Sequence, residues 1–174
     1  MTKIAMPSLL VPVLLVTTLL AQPPRLLEYQ TIALNGDKGG TLAVVDGQPR
    51  LVHSPFTWNE WTLRETDKGW MIQGQLSSEK PEPRHLSVDA EGKVTLIVAP
   101  GDGAYWKLTR KGERLTSFDA TIQAKVGKFG GWYLGFSDEQ EQVEKGKRKY
   151  KAYRVTLSEK PGPRTNLHIF IDGP

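Results

Sequence analysis

Thr41-Leu42-Ala43-Val44, followed some twenty residues later by Trp61-Thr62-Leu63, is the stretch on which the reading of this chain turns, because it returns. His85-Leu86-Ser87-Val88 leads in the same way to Trp106-Lys107-Leu108. A third, weaker copy runs from Tyr133-Leu134-Gly135-Phe136 to Tyr153-Arg154-Val155, with Tyr153 standing where the other copies have Trp. The anchors Leu42, Leu86 and Leu134 lie 44 and 48 positions apart. Self-similarity at such a period marks a repeated supersecondary unit.

Each unit is built of strands. Apolar and polar residues alternate in short runs, and no stretch holds helical spacing. Tyr29–Leu34 ends at Asn35-Gly36 and Thr41–Val45 ends at Asp46-Gly47, both strong turn signals. The second unit offers Trp70–Ile72, Leu86–Val88, Val94–Val98 and Tyr105–Leu108, punctuated by Glu91-Gly92 and Pro100-Gly101-Asp102-Gly103. The third offers Phe118–Ile122, Trp132–Phe136, Tyr150–Leu157 and, beyond Pro161-Gly162-Pro163, Leu167–Ile171. With Tyr29–Leu34 as the first strand of all and the charged stretch and Tyr150–Leu157 closing the third unit, Leu167–Ile171 is left as a possible thirteenth strand. Closure of the sheet is favoured because a barrel has no unpaired edges to invite aggregation.

Residues 1–21 stand apart. Lys3 is their one charge, and it precedes the apolar run from Leu9 to Leu20, with Ala21 as a small residue at the end. This pattern reads as a secretory signal. The run is too short for a bilayer span, which needs about 20 apolar residues, and Pro12 interrupts it, so no stable membrane anchor is expected. Residues 22–174 then form a single all-β domain that is secreted or periplasmic. Removing Lys3 from 23 basic residues leaves 22 against 19 acidic ones, a balance of +3 that is too mild to argue for nucleic acid. There is no cysteine, so neither disulfides nor thiol chemistry can contribute.

Three units of about four strands, with an aromatic at the fourth, resemble the β-trefoil. Leu86-Ser87-Val88-Asp89-Ala90-Glu91-Gly92-Lys93-Val94 resembles the second-to-third strand hairpin of fascin-like and ricin-type modules. Asn59-Glu60-Trp61 is similar to the Gln-x-Trp signature of ricin-type lectins, while the other units carry Ala104-Tyr105-Trp106 and Lys151-Ala152-Tyr153 at the matching places. The alternative architecture is a concanavalin-like β-sandwich, which Gly131–Phe136, Tyr150–Leu157 and His168–Gly173 would suit as successive antiparallel strands.

Few residues ask for a catalytic explanation. His53, His85 and His168 are far apart in sequence and match no metal-spacing motif, so no metal and no cofactor is expected. Gly127-Lys128-Phe129-Gly130-Gly131 precedes a strand and reads as a tight turn. Asp138, Glu139, Glu141 and Glu144 are mixed with Lys145, Lys147, Arg148, Lys149 and Lys151, the composition of a solvated hairpin tip and not of a buried acid pair.

Aromatics remain. Trp61 and Trp106 occupy equivalent places and read as core. Trp58 lies in the turn Ser54-Pro55-Phe56-Thr57-Trp58-Asn59, where a ring beside an amide suits stacking on a sugar while hydrogen bonding its hydroxyls. Asp46 in the preceding hairpin adds an acceptor, and resemblance to ricin-type lectins implies the same recipe of acid, aromatic and amide. The chain therefore reads as a non-catalytic binding domain for glycans, with Asp46, Trp58 and Asn59 as ligand-binding residues. A protein-binding domain such as a protease inhibitor is the alternative, presenting Pro81-Glu82-Pro83-Arg84 or Lys160-Pro161-Gly162-Pro163-Arg164 as a pre-organised loop.

Overall fold

The alternation of apolar and polar residues produces strands nearly everywhere the chain is described. The structure, a computed structural model, describes residues 26–34, 40–53, 61–74, 82, 84–112, 117–145 and 147–171. The strands are β1 (Leu26–Leu34), β2 (Gly40–Val45), β3 (Gln48–His53), β4 (Trp61–Thr66), β5 (Gly69–Gly74), β6 (Arg84–Val88), β7 (Val94–Ile97), β8 (Trp106–Lys111), β9 (Ser117–Ala124), β10 (Tyr133–Lys145), β11 (Arg148–Ser158) and β12 (Leu167–Ile171). Short 3₁₀ turns at Asp102–Ala104 and Pro163–Thr165 precede β8 and β12. The protein is all-β and its strand pairings are antiparallel. The signal segment expected at residues 1–21 lies outside the described residues.

Six strands pair in a closed circuit, β1 with β4, β4 with β5, β5 with β8, β8 with β9, β9 with β12, and β12 back to β1. The other six form three hairpins, β2–β3, β6–β7 and β10–β11. The register repeats. Trp61 lies opposite Gly74, Trp106 opposite Ala124, and Leu167 opposite Leu34. Two residues on, Leu63 faces Ile72, Leu108 faces Ile122, and Ile169 faces Ile32. Most of these side chains, with Leu42, Leu86 and Leu134 of the hairpins, merge into one hydrophobic cluster.

Two tryptophans lock this cluster. The fully buried Trp61 donates its indole N–H to the Leu42 carbonyl at 2.8 Å, and Trp106 donates to the Leu86 carbonyl at 3.0 Å. One bond ties β4 to β2 and the other β8 to β6, and each satisfies a carbonyl that burial would otherwise leave costly. Gly74 makes room for the first ring: a Cβ there would sit 3.0 Å from Trp61 Cζ3.

The third copy is not where the sequence repeat placed it. Tyr153 lies in β11, paired with Gln140 and Leu51, so it belongs to a hairpin strand and not to the circuit in which Trp61 and Trp106 stand. Leu167, the first residue of β12, holds that position. The cause is the β10–β11 hairpin, whose strands of 13 and 11 residues dwarf those of β6–β7 at 5 and 4. It delays β12 until 33 positions after Leu134, against 19 from Leu42 to Trp61 and 20 from Leu86 to Trp106. The same shift accounts for the surplus strand, since Tyr150–Leu157 lies in the β10–β11 hairpin and Leu167–Ile171 in the closed circuit.

Replacing Trp61 or Trp106 by Phe should destabilise the protein by at least about 1–3 kcal/mol, the cost of stranding a buried carbonyl. Urea unfolding measures it. Leu167→Met, where no such bond exists, should cost less than about 1.5 kcal/mol as a volume-conserving change.

Candidate functional site

Asp46-Gly47 forms the turn between β2 and β3 with positive φ at both residues, 50° and 76°, as a two-residue hairpin of the Asp-Gly kind requires. Asp46 is exposed there. Trp58 and Asn59, the other two residues of the expected trio, lie outside the described residues.

The turn between β6 and β7 opens onto a shallow cleft. Asp89 follows β6 as Asp46 follows β2, and its Oδ1 accepts the backbone N–H groups of Glu91 and Lys93 at 3.1 and 2.8 Å. These bonds hold the β6–β7 turn in shape. Beside it a cleft of about 190 Å³ is lined by Asp89, Asp102, Gly103, Val126, Lys128 and Phe129, among others. Asp102 opens the 3₁₀ turn before β8 and is exposed.

Phe129 is half-buried and packed on two sides. Gly92, at φ 86°, leaves the space that the ring occupies, since a Cβ there would approach Phe129 Cζ to 2.6 Å. Trp132 meets the ring edge-on at 5.2 Å between centroids, and Lys128 Nζ stands 5.4 Å from its centre. The result is an aromatic wall beside carboxylates. The glycine pattern of 127–131 marks only a turn, and the signal for more is Phe129 itself, a large apolar residue in a glycine-rich loop.

The histidines do not converge. His53 meets Tyr153 edge-on at 5.5 Å, His168 Nδ1 lies 2.6 Å from Asp119 Oδ1, and His85 is buried on β6. Among the described residues no group of three His, Cys, Asp or Glu could hold a metal ion. His85 Nδ1 has no hydrogen-bond partner, and burial lowers its pKa from the usual 6.5.

The acidic segment of β10 is tied to arginines. Glu141 bonds the guanidinium Nε atoms of Arg154 and, at 3.2 Å, of Arg50. The hydrogen bond from Arg154, aided by Arg50, holds its carboxyl below the ordinary carboxylate value against the opposing effect of partial burial. Toward the tip, Glu144 and Lys149 pair at 3.3 Å with both side chains about two-thirds exposed, as in a solvated hairpin end. In the loop proposed for protein binding, Arg164 is held by Asp138 Oδ1 at 3.0 Å and by the Tyr153 ring at 4.8 Å, so its side chain is engaged within the domain.

No protein-family model matches the sequence, and no curated protein matches it. The fold is similar to part of the crystal structure of the lysenin pore, with a TM-score of 0.59 at 13% identity. The match covers 84% of this chain and 46% of that one, so the chain spans about half the length of that relative. At this identity the likeness is one of fold alone.

Because His85 prefers to be neutral in the folded state, the unfolded chain takes up its proton first as the medium is acidified. Its contribution to stability should be complete above pH 6.5 and decline as pH falls from there toward the lower folded-state value. Thermal melts across this interval check it. His85→Gln should flatten the slope.

Proposed function

We propose that the domain is a β-trefoil of three four-stranded units that acts by binding glycans and not by catalysis, as a secreted or periplasmic protein. The closed circuit of six strands with three hairpins supports the three-unit reading over two stacked sheets. The cleft of Phe129, Asp89 and Asp102 carries the glycan reading.

A sugar ring presents an apolar C–H face and a rim of hydroxyls, and this cleft offers a counterpart to each. Phe129 supplies a face fixed by Gly92 and Trp132, so little ordering cost arises on binding. Asp102 supplies an exposed acceptor for hydroxyl groups, and Asp89 stands beside it with one oxygen already engaged by its own turn. At about 190 Å³ the cleft is smaller than the usual enclosed ligand pocket of about 300–1,000 Å³. That size suits a terminal sugar held from one side. Asp46 occupies the turn that matches that of Asp89 and is the candidate acceptor there, with Trp58 and Asn59 proposed beside it on the sequence alone.

A glycan array carrying neutral and acidic sugars tests the proposal, and absence of binding to every glycan would overturn it. For a sugar that binds, Asp102→Ala should weaken affinity by about tenfold, the value of a hydrogen bond to a charged acceptor. Phe129→Ala should do the same, and Asp102→Ala separates recognition from folding because Asp102 is exposed. Calorimetric titration reads both.

A further inference from the structure

We propose that the junction of the three hairpins is an oxyanion site, taking a sulfate or phosphate-monoester group between Arg50, Lys93 and Arg154. This site is separate from the Phe129 cleft and does not depend on the glycan reading. Arg50 comes from β3, Lys93 from the turn entering β7, and Arg154 from β11, one cation from each hairpin. With Val94, Glu141 and Val155 they line a cleft of about 290 Å³.

The arrangement of charge is the argument. Arg50 and Arg154 are direct partners across the β11–β3 pairing. Like charges placed directly opposite each other destabilise a sheet. Glu141 offsets part of that cost by bonding both Nε atoms, but one carboxylate cannot neutralise two guanidinium groups and the Lys93 ammonium. Three cations less one anion leave a formal excess of +2 in the cleft. Glu139 adds only the weakest of the charge effects on Arg154 and does not line the cleft.

The surroundings make this excess usable. Val94 and Val155, both nearly buried, form an apolar wall that strengthens electrostatic attraction relative to open water. Glu141 holds the two planar guanidinium groups side by side, and such forks match the oxygens of sulfate and phosphate. Lys93 is placed by its backbone N–H bond to Asp89. An isolated structural clip between β3 and the β10–β11 hairpin would need Glu141 and the arginines, but not Lys93.

The test is titration of the ¹⁵N-labelled protein with sodium sulfate and with sodium phosphate at constant ionic strength, balanced with chloride. Saturable amide shifts centred on residues 50, 93 and 154 are expected. Lys93→Ala and Arg154→Ala, both at exposed side chains, should each weaken the affinity by about tenfold while leaving the remaining spectrum folded. Shifts that follow chloride without saturating, or saturation unchanged in both variants, would overturn the proposal. A parallel titration with N-acetylglucosamine 6-sulfate distinguishes the source: tighter binding than inorganic sulfate supports a site for a sugar-borne group, and equal binding supports a site for the free oxyanion.

Discussion

The architecture depends on the bond from a buried indole N–H to a hairpin carbonyl. Trp61 begins β4 and reaches back to β2, and Trp106 begins β8 and reaches back to β6. A hydrophobic contact alone would hold these segments together without fixing their register, because it has no direction. The hydrogen bond does fix it. Once Trp61 is placed against Leu42, the pairing of β4 with β5 sets Leu63 opposite Ile72, and the same holds around the circuit for Leu108 with Ile122. A slip of one residue would turn every core side chain outward.

This explains which parts of the fold could be seen in the sequence. Leu42, Leu86 and Leu134 recur because equivalent core positions ask for equivalent side chains, and Trp61 and Trp106 recur because the indole bond does. The third milestone was misplaced for a physical reason. A core position constrains volume and apolarity, and Leu167 meets that demand without tryptophan, so no aromatic marks it. Tyr153 lies close to the expected spacing only because the β10–β11 hairpin is long. Hairpin length is weakly constrained, since lengthening an exposed hairpin disturbs little of the core.

The candidate sites were less legible still. Asp89, Asp102 and Phe129 come from three separate turns, and Arg50, Lys93 and Arg154 from three hairpins. Each residue alone looks like ordinary surface or turn composition. Only closure of the circuit brings them together. Asp46 could be singled out because an Asp-Gly turn is a local signal, whereas convergence of distant turns leaves no local trace.

The long hairpin also shows how the chain divides rigidity from solvation. At its base, Glu141 joins β10 to β3 and β11, and Arg164 joins the approach to β12 with Asp138 and Tyr153. These contacts span elements distant in sequence and add to the β11–β3 pairing and the buried Leu134, Phe136 and Val155, which seat the hairpin on the body. Farther out, Glu144 and Lys149 pair within the hairpin at exposed positions, where an ion pair contributes little. The bases Lys147, Arg148, Lys149 and Lys151 are exposed at that end, screened over about 8 Å at physiological salt. The smaller excess lies where Arg50, Lys93 and Arg154 meet Glu141 beside the buried Val94 and Val155, with Lys93 and Arg154 themselves exposed. A dense run of lysines attracts notice in a sequence, whereas three cations from three hairpins meet only in the fold.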